Sequence, residues 1–171
     1  MNPHNNELFK LVEMWTSHLG YYDGRIDLKI TDLSSFATAN CHLLAHAPLW
    51  GSKPDEEEPV PASKVRENLS KYLKWTRVRR HNMHIAYHPE SSQLCLFFIV
   101  KIRPILLPFN IMTVPLAFIV KAVETENGLR IDQIDERAAE NPEAARAVLL
   151  EKCDWPSSTN FEPVSAFGAA S

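Results

Sequence analysis

Leu94-Cys95-Leu96-Phe97-Phe98-Ile99-Val100-Lys101-Ile102-Arg103 and, ten residues further on, Val114-Pro115-Leu116-Ala117-Phe118-Ile119-Val120-Lys121-Ala122 decide the fold. Strand alternation puts Leu96, Phe98, Val100 and Ile102 on one face of the first run. It puts Val114, Leu116, Phe118, Val120 and Ala122 on one face of the second. These faces are the predicted core. The opposite faces are only partly polar, because Phe97, Ile99, Ala117 and Ile119 interrupt Lys101, Arg103 and Lys121. An exposed sheet face that apolar calls for a partner, and the expectation is a homodimer formed through it.

Outward from this pair, His81 to Tyr87 and Leu129 to Asp135 read as flanking strands. His88-Pro89-Glu90-Ser91-Ser92 and Glu126-Asn127-Gly128 supply the first and last hairpin turns. Upstream, Leu8, Leu11, Val12, Trp15 and Leu19 recur at helical spacing and end at Gly20. A short helical piece starts at Asp32, and Asn40 to Leu49 reads as a strand. A third helix starts at Ser63, and its basic run is followed to Arg80. Helices that come first must cover a sheet that comes last, which predicts an α+β layer fold. Residues 1–152 are expected to form one domain, with a helix after Asn141-Pro142-Glu143. Residues 153–171 form a tail whose order depends on docking of Trp155, Phe161 or Phe167.

The chain of 171 residues is 45% hydrophobic with a net charge of −3, so no whole-molecule field draws in nucleic acid or an anionic membrane. Neither is expected as a partner. The longest apolar run, Leu94 to Val100, is too short to span a bilayer. Met1-Asn2-Pro3-His4-Asn5-Asn6-Glu7 lacks the pattern of a secretory signal, and a cytoplasmic location is expected. Cys41, Cys95 and Cys153 form no CxxC pair, which argues against a disulfide framework or structural zinc. Gly-rich phosphate loops, GxSxG and HExxH are absent, so nucleotide, serine-hydrolase and zincin readings are excluded. No cofactor is expected.

Arg80-His81 opening the first meander strand, Asn127-Gly128-Leu129-Arg130-Ile131 opening the last, and Tyr22-Asp23 after the first helix carry a resemblance over Leu8 to Asp135. The chain resembles the nuclear transport factor 2-like superfamily, which includes SnoaL-like polyketide cyclases, ketosteroid isomerase, limonene epoxide hydrolase and scytalone dehydratase. The resemblance implies a cone-like curved antiparallel sheet wrapped around N-terminal helices, enclosing an apolar pocket. It also implies dimerisation through the sheet and catalysis without metal or organic cofactor. Scytalone dehydratase has a second histidine at the end of the second meander strand, and the epoxide hydrolases have Arg-x-Asp there. This chain has Arg103-Pro104-Ile105.

His81 is the first candidate for chemistry. It shares parity with Met83, Ile85 and Tyr87, which points it at the interior, where a histidine can exchange protons near neutral pH. The alternative is a core histidine held by one hydrogen bond. Tyr22 and Asp23 pair a phenol with a carboxylate, though Tyr-Asp-Gly is also ordinary turn chemistry. Asp32 reads as a helix cap. Arg103 can stabilise an enolate, but parity places it opposite Leu96 and Phe98. Of Asp132 and Asp135, on opposite faces of the last strand, Asp135 is the expected pocket carboxylate. His42 and His46 have a spacing that can hold a metal, without a third ligand. The leading expectation is a cofactor-independent isomerase, cyclase or dehydratase acting on a hydrophobic polyketide- or terpenoid-like intermediate of secondary metabolism. The rival is a non-catalytic small-molecule-binding or dimeric interaction protein on the same fold.

Overall fold

The apolar runs at Leu94 and Val114 form adjacent central strands, and the rest of the fold is arranged on their two faces. A computed structural model of the chain describes residues 3–19, 32–45, 59–73 and 75–164. Helix α1 (Pro3–His18) buries the expected stripe of Leu8, Leu11, Val12 and Trp15. Asp32 caps one 3-10 turn, Leu33–Ser35, by accepting a hydrogen bond from the Ser34 amide at 3.1 Å. The remaining elements are β1 (Ala37–Ala45), β2 (Val60–Pro61), α2 (Ala62–Leu73), β3 (Thr76–Tyr87), β4 (Gln93–Pro104), β5 (Met112–Thr125), β6 (Gly128–Ala138), α3 (Pro142–Lys152) and β7 (Glu162–Pro163).

The basic run read as one helix to Arg80 is divided between two elements. Helix α2 stops at Leu73, and Arg77, Arg79 and Arg80 lie on β3, where Thr76 and Val78 pair with Pro104 and Ile102. β-branched side chains at alternate positions suit that pairing better than another helical turn.

The seven strands lie in the order β2-β1-β6-β5-β4-β3-β7. The sheet is curved, unclosed and mixed, not purely antiparallel as expected, because β1 runs parallel to β6. Three hairpins separate β3 from β6, so these two strands run in opposite directions. β1 enters in the direction opposite to β3 and arrives beside β6 with matching polarity. Gly128, at φ 87, makes the backbone turn that the last hairpin requires.

The inner face, under α1 and α2, is the predicted core: Leu96, Phe98, Val100, Ile102, Leu116, Phe118 and Val120 pack with Leu8, Trp15 and Val65. The outer face differs from its expectation. Phe97 and Ile119 are 1% and 6% exposed, covered within the same chain by Ala145 and Leu149 of α3 and by Trp155. Asn141 caps α3 by accepting from the Ala144 amide at 2.8 Å, which helps α3 fold back over β4 and β5. Phe97, Ala117 and Ile119, three of the four residues from which a sheet-mediated homodimer was expected, are therefore covered within the chain, and Ile99 is partly buried. The segment after α3 continues across the sheet as far as β7, which pairs with β3 through His84 and Ile85.

Beside the register shift of β1 between Ala37 and His42, two strands of the antiparallel ladders carry one extra residue each. In β3, His81 stands opposite Ile99 and His84 opposite Phe97, so Asn82 and Met83 together face Phe98, with Asn82 at φ 51. In β6, Gln133 stands opposite Lys121 and Ile131 opposite Ala122, leaving Asp132 over. A one-residue bulge exchanges the faces of every side chain beyond it.

Candidate active site

The two bulges determine which polar side chains reach the inner face. Ahead of Asn82, β3 directs Val78 and Arg80 inward, opposite Ile102 and Val100. Beyond Asp132, β6 directs Ile134 and Glu136 inward, opposite Val120 and Phe118. Glu136 is 0% exposed. The Arg80 guanidinium stands 5.9 Å from the centre of the Phe98 ring, and Phe98 meets Phe118 edge-on at 4.9 Å. A cation, two aromatic rings and a carboxylate thus cross β3, β4, β5 and β6 in that order.

Helix α1 covers this face and adds two titratable groups. Burial raises the pKa of Glu13 above the usual carboxylate value, against the pull of Arg80 and Lys10. His18 is buried, stacked on Trp15 at 6.1 Å and edge-on to Phe36 at 5.9 Å. Tyr87 is half-buried on the inner side, opposite Leu94, and burial followed by Glu162 pushes its phenol up to about 12. It lines a cleft of about 400 Å³ with Asn5, Pro89 and Thr159. Leu96, Phe98, Leu116 and Phe118, at the centre of the inner face, are packed tightly and expose at most 1% of their surface.

The residues singled out in the sequence are placed differently. His81 lies on the outer face opposite Ile99, contrary to its expected parity, because the Asn82 bulge intervenes between it and Met83. Asp135 also faces outward, opposite Ile119, where Arg137 contacts it at 2.9 Å through both Nε and Nη2. The Asp132 bulge reverses the alternation that the inward-facing Leu129 and Ile131 begin. Asp132 itself accepts a hydrogen bond from the Thr38 hydroxyl at 2.9 Å. Arg103 is on the outer face opposite Arg77, as its parity indicated, and so is not an inner-face group. Tyr22, Asp23 and His46 lie outside the described residues. His42 turns its Nδ1 to the Asn40 carbonyl at 3.2 Å, and no group of three metal-ligating side chains occurs among the described residues. Cys41 is buried, and burial and Asp132 push its thiol up to about 12, which leaves it unreactive.

Arg80, Glu136, Glu13 and His18 were missed as candidate site residues. Arg80 and Glu136 each adjoin a residue that was chosen, and detecting them required the bulge positions. Asn82, a residue tolerant of left-handed backbone within a strand pattern, was the available signal for the first.

A carboxylate beside an apolar wall is a group suited to proton exchange, and a guanidinium is one suited to holding an anionic or carbonyl oxygen; here two aromatic rings lie between them.

No protein-family model matches the chain, and no curated protein matches it. Among solved structures, AusH from Aspergillus nidulans is 12% identical, aligning over 81% of this chain and 88% of its own with a TM-score of 0.51. Kfla4162 from Kribbella flavida is 16% identical over 83% of this chain and 96% of its own, with a TM-score of 0.49. A protein from Novosphingobium aromaticivorans, described provisionally as a scytalone dehydratase, is 9% identical over 81% and 89%, with a TM-score of 0.48. At these identities the likeness is one of fold. With its N-terminal helices held against one face of a curved, unclosed sheet, the chain has the fold of the nuclear transport factor 2-like superfamily.

Proposed function

We propose that the chain is a cofactor-independent isomerase or dehydratase acting by proton transfer on an apolar, carbonyl-bearing small molecule such as a polyketide or terpenoid intermediate. The observation that carries this reading is Glu136, a carboxylate fully buried on the aromatic inner face that also holds Arg80. A buried carboxylate is costly to a fold and is a recurrent mark of a working site. In this reading Glu136 takes a proton from the carbon beside the substrate carbonyl. The proton then returns to a different carbon or assists loss of a hydroxyl as water, while Arg80, two aromatic rings away on the same face, holds a remote polar group of the substrate.

The test is exchange in deuterated water. The protein, without added cofactor, is incubated with a panel of aromatic polyketide ketones and terpenoid enones, and deuterium incorporation is followed by mass spectrometry. Protein-dependent incorporation into at least one class is expected. A compound retained by the protein without exchange would favour the second reading, a non-catalytic binding protein. The closed packing around Phe98 and Phe118 is the observation on that side.

A further inference from the structure

Every large apolar side chain exposed among the described residues lies at one end of the sheet. Trp75 sits between α2 and β3, and the other six fall between Ile105 and Met112 in the β4–β5 hairpin, with Leu106 at 92% and Phe109 at 58% exposure. The hairpin is held in place by its backbone. The Ile105 amide donates to the Trp75 carbonyl at 2.9 Å, Leu107 to Pro104 at 3.2 Å, and Ile111 to Ile102 at 2.9 Å.

At the base of this projection the outer face carries cations in register. Arg103 stands opposite Arg77, and Lys101 opposite Arg79. Like charges placed directly across a ladder repel, and among the described residues no carboxylate forms an ion pair with any of the four. His81, on the next rung, registers the field: burial first, then Lys101 and Arg79, hold its pKa below the ordinary histidine value. The local sign is the reverse of the net charge of −3.

We propose that this end of the molecule docks on an anionic lipid surface, with the hairpin tip among the headgroups and the Arg77/Arg103 and Arg79/Lys101 rungs against the phosphates. Apolar side chains flanked by basic ones are what a charged membrane interface accepts. A two-fold contact between copies through the same end would bring one cation ladder against another, which disfavours a second copy as the occupant. The proposal is independent of the proposed chemistry.

Sedimentation of the full chain with vesicles tests it, using phosphatidylcholine alone and phosphatidylcholine containing phosphatidylserine. Binding to the anionic vesicles only, reversed by high salt, is expected. Leu106→Asp with Phe109→Asp should weaken it about tenfold or more while leaving the melting temperature unchanged. Arg103→Gln and Lys101→Gln should each weaken it about fivefold, the share of one cation at such a surface. If the hairpin variant fails to fold, the two charge variants and the salt dependence decide. Equal binding to both vesicle types, or binding to neither, would overturn the proposal. So would a wild-type dimer in light scattering that the hairpin variant dissociates without any vesicle binding, because the surface would then join two copies.

Discussion

Glu136 stands directly opposite Phe118 across the β5–β6 ladder and is wholly buried on the inner face, while its neighbour Asp135 turns outward to Arg137. The same inversion occurs on β3, where Arg80 faces in and His81 faces out. In each strand one extra residue selects which of two adjacent polar side chains meets the interior.

The β3 bulge depends on Asn82 at φ 51, a left-handed conformation that asparagine and glycine tolerate and β-branched residues do not. Asn82→Gly should leave stability almost unchanged. Asn82→Val should cost about 1–2 kcal/mol in urea unfolding, the penalty of that conformation for a residue with a branched Cβ. Equal midpoints for the two variants would mean that the bulge does not constrain this backbone.

Acidification should expose the environment of His81. Its folded pKa lies below the ordinary value of about 6.5. As pH falls through that value, the unfolded chain takes up a proton that folded His81 resists, so stability declines until pH passes below the folded pKa. His81→Gln should flatten this part of the stability curve. Lys101→Ala should move the His81 titration upward in an NMR experiment. An unmoved titration would remove Lys101 as a cause.

The outer face makes a separate demand. Trp155 is 4% exposed and helps cover Phe97 and Ile119, so Trp155→Ala should cost about 3–5 kcal/mol, the usual range for emptying a large aromatic site. It should also promote self-association, because the uncovered face is apolar. Light scattering of wild type and variant checks both the covering role and the sheet-mediated pairing expected from sequence.

Most of the architecture was legible because it rests on periodicity. Leu96, Phe98, Leu116 and Phe118 alternate without interruption, and that alternation places them under α1. The Asp32 and Asn141 caps were legible because their chemistry is local. The direction of β1 was not, since strand polarity in a mixed sheet follows from the path of the connections. The site residues were illegible for a sharper reason. Alternation carries positional information along a strand only as far as the first bulge. His81 was oriented from Met83, Ile85 and Tyr87 across Asn82, and Asp135 from the start of β6 across Asp132. The covering of Phe97 and Ile119 by α3 was missed because a helix of alanines and leucines does not announce which face it will meet.

The most direct test of the inner-face account compares adjacent residues that the bulges send to opposite sides. In the deuterium-exchange assay, with a substrate that the wild type labels, Glu136→Gln should reduce the rate by about a hundredfold or more, the usual scale for losing a general base. His81→Ala should change it less than about twofold, and Asp135→Asn should lower the melting temperature while keeping the rate of the folded protein. A Glu136→Gln variant that exchanges at the wild-type rate, with the loss appearing in His81→Ala, would contradict the account and return the chemistry to the outer face.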